Sequence, residues 1–338
     1  MRILYIGNKL SEHGYSPSGV ETLGSKLTEL TKVRSISNKK NKLARMTDMI
    51  LTMIKSINEY ELVLIDTFSG KALWYAIICS LLTIALNRKY ILILRGGNLP
   101  ESIKSKRTIS TYILKHSLQN IVPSLYLHNQ LNHFNIQSKY IPNFIEIQKY
   151  GFKKRSLCKP SLFWVRAFHK VYNPEMAILV LKELQKTYAE AKLCMVGPDK
   201  DGSMISCRKL VNKLELKDSV KITGLLSKEK WIDMSKKYDF FINTTNYDNQ
   251  PVSVMEAMSL GLPIISTNAG GLKYLHEDGH DALIVNKNDF NAMAEKIKIL
   301  LNTPKLVKTL TENARTKVET FDWNIIKMQW RELLEQTQ

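Results

Sequence analysis

Four cysteines, at positions 79, 158, 194 and 207, show no metal-type spacing, and Cys79 and Cys194 lie in apolar segments. That pattern excludes a disulfide scaffold and reads as the reduced thiols of a cytoplasmic protein. Long hydrophobic runs are also missing. The longest, Ala72 to Leu86, is fifteen residues and carries Ser80 and Thr83. It falls short of the roughly 20 apolar residues a membrane-spanning helix needs and reads as a buried helix. The opening Met1-Arg-Ile-Leu-Tyr-Ile leads straight into a strand, so no secretory leader is expected. Repeats and low-complexity tracts are absent. Acid is scarce in the first half: residues 1–150 hold 20 Lys and Arg against 9 Asp and Glu, and Ser102 to Ile145 has no acid at all. A chain with net charge +18 concentrated in this way is attracted to anionic surfaces, or simply gains solubility. Nucleic acid is not expected as the partner, because interleaved aromatics and a helix-turn-helix pattern are both lacking.

With 338 residues and 44% apolar content the chain suits two soluble domains. Strands and helices alternate through both halves. Arg2–Gly7, Glu61–Asp66, Tyr90–Arg95, Asn120–Ser124 and Lys139–Asn143 read as strands of the first. Ser18 and Glu21 form a capping-box pair ahead of a helix at 23–30. Lys39–Ile57 reads as a helix whose apolar face is Leu43, Met46, Ile50, Met53, Ile54 and Ile57. Most such faces pack inward; the alternative for this basic helix is an anionic bilayer. Lys149–Pro160 is basic, is broken by Gly151 and Pro160, and reads as an interdomain linker. The alternation then restarts with strands at Ser161–Val165, Lys192–Val196, Val220–Thr223, Tyr238–Asn243 and Ala282–Val285. Helices interleave with these strands, and the last runs from Trp323 to Glu335. Two doubly wound β/α domains in tandem fit this order.

The segment from Asp248 to Gly271 carries most of the chemistry. Asp248 lies in a polar loop, Glu256 lies in the helix that follows, and Gly-Leu-Pro, a short strand and Gly270-Gly271 come next. This order puts a helix N-terminus and tight turns at strand carboxyl ends, where open parallel sheets bind ligands. The two carboxylates could serve glycoside hydrolysis or simply complement a helix dipole. Neither reading accounts for the glycine pattern or the two nucleotide-type domains, whereas a nucleotide-sugar site accounts for both. Arg166, after a strand, suits phosphate oxygens, and Lys170 could add a second charge. His169, a lone loop histidine, reads as structural.

Asp248–Gly271 resembles the donor motif of the large retaining glycosyltransferase family with the GT-B fold (family 4, group 1 type). Ser16–Thr22, Ile141-Pro-Asn143, Trp164–Lys170, Val196-Gly197, Thr223-Gly224 and Gly279–Val285 resemble further segments of that family, so the likeness spans almost the whole chain. The resemblance implies two Rossmann-like domains facing a central cleft. Residues 1–150 would form the acceptor side, 151–320 would bind the nucleotide-sugar, and 321–338 would be a helix packing back toward the first domain. It implies a metal-independent, retaining hexosyltransferase with no cofactor. Such an enzyme would move a sugar from a nucleoside diphosphate, UDP by preference, to an envelope glycan or lipid-linked acceptor. It would work in the cytoplasm, in peripheral contact with the anionic inner face of the membrane through the basic first domain. An epimerase of the same fold is the alternative. Carried onto this sequence, Glu256 meets the ribose hydroxyls and Asp248 the sugar hydroxyls. Arg166, with Lys170, neutralises the leaving diphosphate, and Gly19 amides approach the β-phosphate. Gly197, Asn249, Gln250 and Val252 complete the donor site, while Arg95, Gly96 and Asn98 face the acceptor. Departures from the family pattern are Asp248 for a glutamate, Pro251 for a glycine, a missing glycine before Arg166, Lys170 one place early, and Arg95 where relatives carry a histidine.

Overall fold

The structure is a computed structural model and describes residues 1–155 and 157–337. Its contacts divide the chain into two units, Met1–Pro142 with Asn324–Gln338, and Asn143–Trp323.

The first unit runs β1 (Arg2–Ile6), α1 (Gly19–Leu27), β2 (Lys32–Ile36), α2 (Lys42–Lys55), β3 (Leu62–Thr67), α3 (Leu73–Ala85) and β4 (Lys89–Leu94). It continues with α4 (Leu99–Ser105), α5 (Arg107–His116), β5 (Gln119–Val122), α6 (Leu125–Asn132) and β6 (Lys139–Tyr140). The strands form one parallel sheet in the order β2-β1-β3-β4-β5-β6. Every residue of β3 is buried, as expected for a central strand covered by helices on both faces. β2 escaped the sequence reading because it is an edge strand, with Lys32, Arg34 and Ser35 alternating with Val33 and Ile36; charge on an edge blocks stray pairing. Glu21 Oε2 accepts the Ser18 N–H at 2.8 Å, which starts α1 at Gly19, four residues earlier than the sequence suggests. α2 departs further from expectation. It buries Arg45, Met49 and Met53, and leaves Leu43 81% exposed and Ile54 47% exposed. The buried stripe is therefore rotated from the expected one, because Arg45 turns inward to donate to the Lys39 carbonyl at 3.2 Å and stack on Tyr75.

The second unit runs β7 (Ser161–Val165), α7 (Pro174–Leu184), β8 (Lys192–Val196), α8 (Ser203–Lys213), β9 (Val220–Gly224), α9 (Lys228–Ser235) and β10 (Phe240–Asn243). It ends with α10 (Val252–Ser259), β11 (Ile264–Thr267), α11 (Leu272–Leu275), β12 (Leu283–Val285), α12 (Phe290–Asn302) and α13 (Pro304–Glu319); α14 (Trp323–Glu335) then returns the chain to the first unit. Its parallel sheet is ordered β12-β11-β10-β7-β8-β9, so the winding reverses between β7 and β10. Trp164 is fully buried in the core and donates Nε1–H to Thr244 Oγ1 at 3.0 Å, tying these two strands together at the reversal.

The boundary lies at Pro142, not after residue 150. The expected linker is built into the second unit, apart from Ser156, which lies outside the described residues. Asn143 bonds Gln250 through both its N–H and its side chain, and Tyr150 and Arg155 are buried. The Arg155 guanidinium donates to the carbonyls of Leu260 (2.9 Å) and Gly261 (2.6 Å), and Arg315 donates to that of Ser259 (2.7 Å). Two cations thus bond carbonyls at the C-terminal end of α10, where the helix itself supplies no donors. In the first unit, α14 reaches β6 through Lys139–Glu332 and α1's end through Lys327–Glu29.

Candidate functional site

The reversal between β7 and β10 places Arg166 and the 244–251 loop side by side at strand carboxyl ends, the usual binding position in an open α/β sheet. Arg166 N–H bonds the Val196 carbonyl at 3.0 Å. Gly197 has φ +151°, and a side chain there would run into the Arg166 carbonyl. Only glycine fits, so Gly197 serves first to shape the backbone that aims Arg166. The Arg166 guanidinium pairs with the Asp248 carboxylate and lies over the Tyr172 ring at 4.4 Å. Burial pulls its pKa below the usual arginine value, with Tyr172 and Glu256 pulling the other way.

The loop that carries Asp248 is held from several sides. Asn249 N–H bonds Asp248 Oδ1 at 2.9 Å, and Gly271 N–H bonds the Asp248 carbonyl at 3.0 Å. Gly270, at φ +55°, and Gly271 lie so close to the carbonyls of Asp248 and Asn249 that a Cβ on either would collide with them. Thr267 Oγ1 donates to the Thr245 carbonyl at 2.6 Å. The Gly-Gly turn is therefore the seat of the carboxylate loop.

Glu256 sits in the second turn of α10 and is 3% exposed. Its Oε1 accepts the Tyr150 hydroxyl at 2.9 Å and the Lys228 ammonium. Burying a carboxylate is costly unless it is paired and hydrogen-bonded, and these two partners supply both. Burial, with Glu256 adding to it, pushes the Tyr150 phenol well above its ordinary pKa, so it stays a donor. Sequence reasoning missed both partners. Tyr150 lay in the segment read as a linker, and Lys228 opens a helix four residues past the Thr223-Gly224 turn, where the Ser227 cap was the available signal.

The other expected site residues divide into groups. Asn249 is buried beside Asp248. Val252 is 38% exposed and opens α10 after Pro251. Gln250 Oε1 accepts the Asn143 N–H at 2.6 Å and its carbonyl accepts Asn143 Nδ2 at 2.8 Å. Both oxygens are engaged within the unit. The Lys170 side chain is exposed, while its N–H bonds Asp201 at 3.0 Å. His169 Nδ1 accepts the Val171 N–H at 3.1 Å, the structural role expected of it.

Arg95, Gly96, Asn98 and Gly19 belong to the first unit. Arg95 follows β4 and donates Nε–H to Asp66 Oδ1 (2.5 Å) and Nη2–H to the Tyr5 hydroxyl (2.9 Å). Its guanidinium lies flat against Gly19, where any Cβ would overlap it. An anion approaching the Gly19 amide meets a fixed cation, which the glycine-loop reading alone did not anticipate. Gly96 abuts the Ser69 backbone, and Asn98 is exposed, with its carbonyl accepting Ser102 Oγ at 3.1 Å.

Comparison with known proteins fits this geometry. Residues 148–317, half of the chain, match the family model described as glycosyl transferases group 1. An uncharacterized glycosyltransferase of Methanocaldococcus jannaschii is 26% identical over 263 residues, covering 76% of this chain and 71% of that protein. The GalNAc-α-(1→4)-GalNAc-α-(1→3)-diNAcBac-PP-undecaprenol α-1,4-N-acetyl-D-galactosaminyltransferase of Campylobacter jejuni is 27% identical over 202 residues, covering 54% of this chain and 49% of that protein. The chain thus spans about half the length of that second relative. Among solved structures, Anabaena HepE in complex with UDP and glucose superposes with TM-score 0.81 at 18% identity, covering 99% of both chains. The two parallel six-stranded sheets are those of the GT-B fold, and the chain belongs to the group 1 glycosyl transferases.

Proposed function

We propose that the chain is a retaining glycosyltransferase that moves a sugar from a UDP-linked donor to a lipid-linked or envelope-glycan acceptor. The observation that carries this reading is the buried Glu256 carboxylate, held by Lys228 and Tyr150, beside the Arg166–Asp248 pair at the reversal of the second sheet. Glu256 would accept the ribose hydroxyls, with Lys228 yielding part of the carboxylate to them. Asp248 would orient sugar hydroxyls from its clamped loop. Arg166 would take up charge as the diphosphate leaves, and in a dry site a fixed cation stabilises that charge far more than in water. On this reading no metal is required. The bond from the anomeric carbon to the diphosphate oxygen breaks, and the acceptor oxygen bonds on the face the nucleotide leaves. The acceptor's proton passes to the departing phosphate.

UDP is favoured because the HepE structure holds UDP and glucose. A lipid-linked acceptor is favoured because the Campylobacter relative's name specifies a polyprenyl-diphosphate glycan. Incubating the chain with UDP-sugars and a polyprenyl-diphosphate-linked glycan, then reading the anomeric configuration by NMR, tests the reading. Net retention with UDP release is expected. Inversion would overturn the retaining mechanism, and conversion of the donor without acceptor would restore the epimerase.

A further inference from the structure

We infer that Tyr172 is the positioning residue of the diphosphate grip in the second unit. Its ring fixes the plane of the Arg166 guanidinium and leaves the N–H edge of that group to phosphate oxygens. Its role depends on the donor reading proposed above, because the diphosphate is the donor's.

Arg166 meets the protein in two different ways. It pairs with the Asp248 carboxylate through Nη2, and its guanidinium lies over the Tyr172 ring at 4.4 Å. The two contacts are not equivalent. A carboxylate engages N–H groups, whereas an aromatic ring attracts a cation through its face and engages none. Arg166 Nε is buried and makes no hydrogen bond to any described residue. A buried guanidinium N–H without an acceptor is uncommon enough to point to a ligand atom. The planar fork suits phosphate oxygens, and the ring steadies it without using its donors.

Tyr172 is held firmly enough to serve as a platform. It ends the short Lys170–Tyr172 turn after β7, and that turn is latched to the loop after β10. Thr244 Oγ1 donates to the Tyr172 carbonyl at 2.9 Å while accepting Nε1–H of the buried Trp164 at 3.0 Å. The Val171 carbonyl accepts the Asn246 N–H at 2.8 Å and Thr245 Oγ1 at 3.3 Å. Asn173, at φ +48°, turns the chain into α7, and its side chain bonds Asn288 Oδ1 at 2.8 Å. The His169 ring meets the Tyr172 ring edge-on at 6.2 Å. Arg166 thus sits between a ring and a carboxylate whose backbones are joined to each other.

Isothermal titration of UDP and UMP into the full chain and its Tyr172 variants tests the inference. UMP keeps the base and the ribose that Glu256 would hold, and lacks the second phosphate. Tyr172→Leu should weaken UDP about tenfold, the size of a desolvated cation–π contact, and UMP about twofold or less. Tyr172→Phe keeps the ring face and should bind UDP within about threefold of the wild type. In an Arg166→Met background, Tyr172→Leu should weaken UDP no further, because the ring acts through the guanidinium. Tyr172→Met replaces Tyr172→Leu throughout if thermal melts show the leucine variant unfolded. Equal losses of UDP and UMP, additive losses in the two backgrounds, or unchanged UDP binding by the folded ringless variant would each overturn the inference and leave the transferase reading standing. No binding of UDP by the wild type would overturn both.

Discussion

Lys228, the first residue of α9, places its ammonium on the carboxylate of Glu256 in α10, and Tyr150 donates to the same oxygen from the chain segment leading into the sheet. Three stretches that are far apart in sequence thus converge on one buried charge. Lys228→Met leaves that charge with one protein partner. Since the lysine is 45% exposed, the cost should be about 1–2 kcal/mol, below that of breaking a fully buried pair. Urea denaturation with and without UDP measures it, and UDP should recover less stability in the variant than in the wild type.

Tyr150→Phe removes a hydrogen bond and nothing else from the Glu256 carboxylate. A loss of about 1–2 kcal/mol is expected, with a raised KM for the donor and a smaller change in kcat. Steady-state kinetics decide: a kcat loss at constant KM would place Tyr150 in the chemistry instead.

Glycine positions can be ranked by what a side chain would meet. Gly197→Ala drives a methyl into the Arg166 carbonyl, whereas Gly202, at φ +86°, has open space around it. The first change should cost more than about 2 kcal/mol and displace Arg166. Gly202→Asn should cost under about 1 kcal/mol, because asparagine tolerates the left-handed region. Thermal melts of the two variants test the ranking, and equal losses would contradict it.

Acid stability has a traceable source in Asp281. It is 1% exposed and bonds His276 Nδ1 at 3.0 Å and Lys317 at 2.6 Å. Burial raises its pKa, but His276 and Lys317 outweigh this and hold it below the usual aspartate value. A depressed folded pKa means the stabilisation is complete above the unfolded value of about 3.9 and is lost as pH falls toward the folded value. Asp281→Asn should lower stability at neutral pH and flatten the decline below about pH 4; an unchanged acid limb would contradict this.

Much of the second unit was legible because its strands and turns are local signals. Ser161–Val165 and Lys192–Val196 match their observed bounds, as does Trp323–Glu335. The first unit was harder. β2 is a charged edge strand, and α2 carries apolar residues on both sides, so periodicity alone could not say which stripe faced in. In the site, Asp248, Glu256 and Arg166 could be picked out by spacing and residue type. Their partners could not: the contacts of Tyr150 and Lys228 with Glu256 span 106 and 28 residues, and Arg95 against Gly19 depends on how β1, β3 and β4 align.

Glu256 is the nucleotide's grip in the proposed reaction. Isothermal titration of UDP into the wild type and Glu256→Gln tests it most directly. Binding by the wild type, weakened at least about tenfold in a folded Glu256→Gln variant, is the predicted result, since the amide loses the charge that strengthens hydrogen bonds from the ribose. Equal affinity in the two proteins, or no binding of UDP by the wild type, would contradict it.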